Sequence, residues 1–145
     1  MKRNPEWWLK LLLCLWGAPP LLAAVAFVMP SRWMADIHRW LGMGVLPAAP
    51  IVDYLARYAS AMSVFYGVVA LVLATDVHRY ARLITLLALM TMAFSAGGAF
   101  FGLRAGMPGW WMGADLISCW LFSAAVLWLQ KRIPPAGTGK TNSNL

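Results

Sequence analysis

The chain has 145 residues, of which 61% are hydrophobic and 12% charged. A soluble domain is about 45–50% apolar and about 25% charged, and one this small has too little interior to hide the excess. This excludes a soluble enzyme, a disordered chain and a nucleic-acid module, and leaves an integral membrane protein of one domain. Twelve Lys and Arg against five Asp and Glu give a net charge of +7. The basic residues flank apolar runs, so the expected partners are membrane lipids, with no nucleic acid.

Four stretches reach the roughly 20 apolar residues that a spanning helix needs. The first runs from about 7 to 29. Asn4 is placed to cap it, and Pro5 suits its first turn. Glu6 falls at the positive end of the helix dipole. Gly17-Ala18-Pro19-Pro20 predicts a kink, since each proline removes an intrahelical bond. Lys2, Arg3 and an Ala24-Val25-Ala26 site give some features of a cleaved leader. The long apolar stretch, its two prolines, Trp16 and Glu6 argue for a retained span instead.

A loop of 24 residues follows, Pro30 to Asp53. Ser31 is placed to cap a short helix over about 31–41. There Trp33, Ile37, Trp40 and Leu41 share one face by helical spacing, opposite Arg32, Asp36 and Arg39. That pattern predicts a helix lying on the membrane surface. Gly42 to Val52, with two glycines and two prolines, reads as an irregular return.

The remaining spans are expected at about 54–75, 83–103 and 110–130. Their connections are short, which predicts antiparallel neighbours. The tail, 134–145, is rich in Pro, Gly, Asn, Ser and Thr and is expected to be disordered in the cytoplasm. Four spans put Lys2, Arg3, Lys10, Arg79, Arg82, Lys131, Arg132 and Lys140 on one side. The other side has Arg32, Arg39, Arg57 and Arg104. Eight basic residues against four predict both termini in the cytoplasm, with the chain in the inner (plasma) membrane.

Catalytic signatures are missing: there is no H-E-x-x-H, no P-loop and no G-x-S-x-G. Cys14 and Cys119 lie far apart inside apolar runs, without zinc spacing. Asp36-Ile37-His38-Arg39-Trp40 resembles Asp76-Val77-His78-Arg79-Tyr80. On this threading the two segments lie on opposite faces of the membrane, so they share no metal and read as polar boundaries. No catalytic residue, metal or cofactor is expected.

Asp115 stands out. It lies about 7–8 Å into the fourth span, at about 1.5 Å per residue from Trp110. A charge there is costly and is expected to face the bundle or a polar crevice. Arg57 and Arg104 start from the same side and are candidate partners. Trp111 and Ser118 share the helix face of Asp115. These five residues form a candidate outward-facing ligand crevice; the competing reading is an ion pair that fixes packing. Gly98 and Gly102 make a GxxxG match, and Ser63 and Gly67 give the second span a small face. The two faces are expected to pack together.

Several runs are familiar together: Tyr54-Leu55-Ala56-Arg57, Phe65-Tyr66-Gly67, Asp76-Val77-His78-Arg79-Tyr80, Gly106-Met107-Pro108 before Trp110-Trp111, and Leu127-Trp128-Leu129 with Arg132. Over about Tyr54 to Arg132 the chain resembles a group of small bacterial four-helix integral membrane proteins with no assigned activity. The resemblance implies the four-span fold and adds no catalytic residue. The expected fold is therefore an all-α membrane four-helix bundle with a short interfacial helix. Two functions are compatible with it. One is a non-enzymatic structural or accessory subunit, assembled with a membrane-protein partner or as a homo-oligomer. The other is a lipid or small-molecule binding or transport protein using the crevice at Asp115.

Overall fold

A computed structural model describes residues 4–133; the tail expected to be disordered lies outside them. The fold is all-helical, with four helices long and apolar enough to cross a membrane. Between 11% and 22% of the most apolar stretch of each span is buried inside the bundle. Most of the apolar surface therefore faces outward, where lipid would cover it.

The first span is broken into α1 (Pro5–Leu21) and α2 (Ala23–Val28). Asn4 Oδ1 accepts the Glu6 N–H at 3.2 Å, and Pro5 opens the helix. Pro19 and Pro20 carry no N–H and so cannot bond back to the preceding turn. The helix stops one residue later and restarts past Leu22, whose N–H reaches Pro19 O at 3.0 Å. The break falls at the proline pair, as expected.

The surface helix, α3 (Ser31–Trp40), has no buried residue. Ser31 does not cap it: Pro30 holds the cap position, and the Ser31 hydroxyl donates to Asp53 at 2.6 Å. The return segment turns at Gly42 and Gly44, both with positive φ, 73° and 85°, where a side chain is strained. The next span, α4 (Pro50–Thr75), begins four residues earlier than its apolar run, because Pro50 opens the helix as Pro5 does. The last two are α5 (Ala81–Arg104) and α6 (Gly109–Lys131).

Packing departs from the expected neighbour order. α5 lies along α6, but α4 and α5 barely touch despite their short loop. Instead α1 packs along α4 and also meets α6. The buried core lies in the half of the bundle nearest the termini. It gathers Leu9 and Leu13 from α1, Leu73 and Ala74 from α4, Ile84 and Ala88 from α5, and Phe122 and Val126 from α6. Val77, in the α4–α5 loop, closes that end. Toward the other end the molecule becomes two helix pairs.

One side-chain chain ties the pairs together at mid-span. Trp16 Nε1 donates to Tyr66 Oη at 3.0 Å. The Thr91 hydroxyl donates to Leu87 O at 2.8 Å, so across the 3.0 Å contact Tyr66 donates to Thr91. The donors of Trp16, Tyr66 and Thr91 are all thereby used, as a low-dielectric interior requires. The indole of Trp16 also stacks on Phe122 of α6, with centroids 4.3 Å apart and planes 6° from parallel. All four spans thus converge on Trp16. Tyr66→Phe removes the hydroxyl at the centre of this chain and strands the indole N–H. Inter-helix bonds in membranes average about 0.6 kcal/mol, and a stranded buried donor costs about 1–3 kcal/mol. The expected loss is about 1 kcal/mol, read as a lower midpoint in an SDS unfolding titration with helicity retained.

Candidate functional site: the face around Asp115

Arg57 is fully engaged away from Asp115. Its Nε donates to Asp53 Oδ2 at 2.9 Å. Its Nη1 reaches Phe27 O at 2.6 Å, and its Nη2 reaches Met29 O at 3.1 Å. Phe27 lies in the last turn of α2 and Met29 is its C-cap, where a cation meets the negative end of a helix dipole. Asp53 also accepts the Ser31 hydroxyl. The group clamps the end of the first span, the start of α3 and the first turn of α4. The expected Arg57–Asp115 pairing is replaced by a local one, because Asp53 stands one helical turn before Arg57.

Arg104 does not pair with Asp115 either. Its guanidinium lies over the Phe100 ring, 5.4 Å from the centroid. Asp115 itself is exposed, one and a half turns down α6. Among the described residues no cation lies within ion-pair distance of its carboxylate. Its nearest polar neighbours are its own helix's. Ser118 donates to the Asp115 carbonyl at 2.9 Å, and the Cys119 thiol lies 4.0 Å from Oδ1. Trp111, one turn above, meets Trp110 edge to face at 5.5 Å. Of the five crevice candidates, Asp115, Trp111 and Ser118 therefore share one face, and the two arginines lie apart from it.

The glycines divide in the same way. Gly67 packs on α1, not on α5: a Cβ there would meet Gly17 O at 2.6 Å. Ser63 spends its hydroxyl on Ala59 O of its own helix. Gly102 faces Met112 of α6. A Cβ on Gly98 would meet nothing within 4 Å. The small faces of α4 and α5 thus do not pack on each other. Gly17 offers α4 a closer partner than α5 does, since two glycines let backbones touch.

Two contacts fix the antiparallel register of α5 and α6. Gly102 lies beside Met112, and Thr85 donates to Gln130 Oε1 at 3.0 Å. This register puts Gly98 and Ala99 level with Asp115. A carboxylate and an open glycine surface therefore lie at one depth of the α5–α6 pair.

The end carrying the termini has its own polar set. Glu6 bonds Lys10 at 2.8 Å and His78 at 3.3 Å. Asp76 Oδ1 accepts the Arg79 backbone N–H at 3.0 Å, which holds its carboxyl below the usual range. On the opposite side Asp36 lies 3.8 Å from Arg39, and His38 Nδ1 is 3.2 Å from Gly44 O. The two similar D-x-H-R segments thus serve different local contacts. Among the described residues no three His, Cys, Asp or Glu side chains cluster as a metal site, and both cysteines are free.

Two structural determinants carry little signal in the sequence. Gly17 stands beside the proline kink and is also where α1 and α4 backbones meet, against Gly67. Trp16, Tyr66 and Thr91 were scattered polar atoms in apolar runs; a buried indole or phenol needs a partner, and that was the available signal. Ser123 is fully buried with no hydrogen-bond partner among the described residues. Comparison with protein-family models, with curated proteins and with solved structures found no match.

Proposed function

We propose that this chain is a non-enzymatic subunit of a membrane assembly, and that the α5–α6 face bearing Asp115 and Gly98 is its contact with another transmembrane segment. The observation that carries the reading is the exposed, unpaired carboxylate of Asp115 within a span. At a bilayer centre such a charge costs about 2.5–3.5 kcal/mol, and somewhat less at this depth. A donor or cation from a neighbouring helix removes that cost. The open surface at Gly98, level with Asp115, lets a neighbouring backbone come close. The partner is a second copy or another membrane protein with a polar group at the same depth. The charge asymmetry of the loops supports cytoplasmic termini in a plasma membrane of bacterial type, and the exposed Trp33, Ile37 and Trp40 of α3 support a helix resting on the far surface.

A ligand crevice at Asp115 is the weaker reading, because Arg57 and Arg104 turn to other groups. The test is native gel electrophoresis of gently extracted full-length protein. Asp115→Leu is expected to release the bundle from its complex, and Asp115→Asn to retain part of it, since an amide still bonds across helices. Unchanged migration of Asp115→Leu would refute the proposal.

A further inference from the structure

A second surface of the molecule points to a different occupant. Between α1 and α6, on the side of the bundle nearest the termini, runs a furrow formed by two hollows of 420 and 300 Å³. They share Leu12, Leu15 and Ala125 and so run into one another. Each falls within the range of ligand-sized cavities, about 300–1,000 Å³. The outer walls are long side chains, Leu15 on α1 and Leu121 on α6, both mostly exposed. The stacked rings of Trp16 and Phe122 form part of the lining, and Ser118 adds a hydroxyl.

The furrow opens at the membrane boundary between Trp8 and Trp128, and amphipathic rings favour that depth. Arg132 follows one turn later. Its guanidinium lies 3.9 Å from the centroid of the Trp128 ring, which holds the charge at the furrow mouth. No carboxylate among the described residues pairs with Arg132. The same end carries Arg79, Arg82 and Lys131 against the acids Glu6 and Asp76, and Glu6 already holds Lys10.

We propose that this furrow binds one acyl chain of an anionic phospholipid from the leaflet on the termini side, with the phosphate held by Arg132. Apolar walls, a boundary-level aromatic mouth and an unpaired guanidinium match the three parts of such a lipid in order. The walls suit a thin flexible chain. A helix backbone would have to reach the furrow's small residues, Ala125 and Ser118, past the protruding side chains of Leu15 and Leu121. The inner end of the furrow reaches Ser118, one turn from Asp115, while Arg132 and the mouth lie toward the other end of α6, so variants at Arg132, Ala125 and Leu15 test this assignment without altering Asp115.

The test uses delipidated full-length protein in detergent, titrated with equal amounts of dioleoyl phosphatidylglycerol and dioleoyl phosphatidylcholine. Lipid adducts are counted by native mass spectrometry. The wild type is expected to keep one phosphatidylglycerol with a preference of about fivefold, the effect of one cation at an anionic headgroup. Arg132→Gln is expected to lose that preference. Ala125→Phe fills the furrow from α6 and is expected to lose both lipids at unchanged helicity; Leu15→Trp fills it from α1 and guards against a folding defect in the first variant. Equal affinity of the wild type for the two lipids would overturn the proposal. So would retention of phosphatidylglycerol by both filled variants, or a second protein copy released by filling.

Discussion

Gly67→Ala is expected to destabilise the bundle by about 1–3 kcal/mol, the usual cost of forcing atoms into a packed interface. The added Cβ would sit 2.6 Å from Gly17 O, 3.1 Å from Leu21 Cδ2 and 3.2 Å from Pro20 Cβ. The first of these is backbone, so no rotamer change relieves it. α1 and α4 must separate, and the Trp16–Tyr66 bond, made by the residue before each glycine, lengthens with them. Gly17→Ala meets Ala70 Cβ and Gly67 O, both at 3.0 Å, and is expected to be the milder of the pair. Gly98→Ala is the control: it meets nothing in the bundle. Helix propensity alone makes that change neutral or stabilising by up to about 1 kcal/mol in the monomer. SDS unfolding midpoints of the three variants, with tryptophan emission as the probe, check the order. Equal midpoints for Gly67→Ala and Gly98→Ala would contradict the helix pairing described here.

Arg57→Ala is the second large effect. It removes the donors on Phe27 O and Met29 O and leaves Asp53 with the Ser31 hydroxyl alone. The side chain is about a third exposed, so water recovers part of what a fully buried pair would lose. The expected cost is about 1–3 kcal/mol, in the range for stranded polar groups and bonds to charged ones. It is expected to be local. Amides of α2 and α3 lose hydrogen-exchange protection, while those around Trp16 keep theirs. Arg57→Lys is expected to recover little, because an ammonium cannot span a carboxylate and two carbonyls as a planar fork does. Unchanged exchange across α2 and α3 would show that the clamp does not hold the first span to α4.

The spans were legible because membrane crossing imposes length and apolarity, and both are written in sequence order. The proline break and the Asn4–Pro5 start were legible for the same reason: they act within one turn. The early start of α4 was equally local. Pro50 carries the same signal as Pro5 and was absorbed into the irregular return because the apolar run begins only at about Tyr54. What could not be read was which helix meets which. Small residues on α4 and α5 suggested a direct contact. Periodicity gives each helix a face and no partner, and the decisive residue, Gly17, was masked by its proline neighbours. The Arg57 clamp was half legible. Asp53 stands at i−4, but two of Arg57's other partners are backbone carbonyls from another segment, Phe27 O and Met29 O, and sequence does not mark those. Asp115 is marked in the sequence by its cost in lipid, and only coordinates show that the nearby arginines are committed elsewhere.

The central claim is that the Asp115 face docks another transmembrane segment. Native mass spectrometry of the full-length wild type, extracted directly into lipid nanodiscs, tests it most directly. The account predicts the chain together with at least one further protein subunit, either a second copy or a different membrane protein, and loss of that mass in Asp115→Leu. A wild-type chain that emerges alone, with or without lipid, would contradict it.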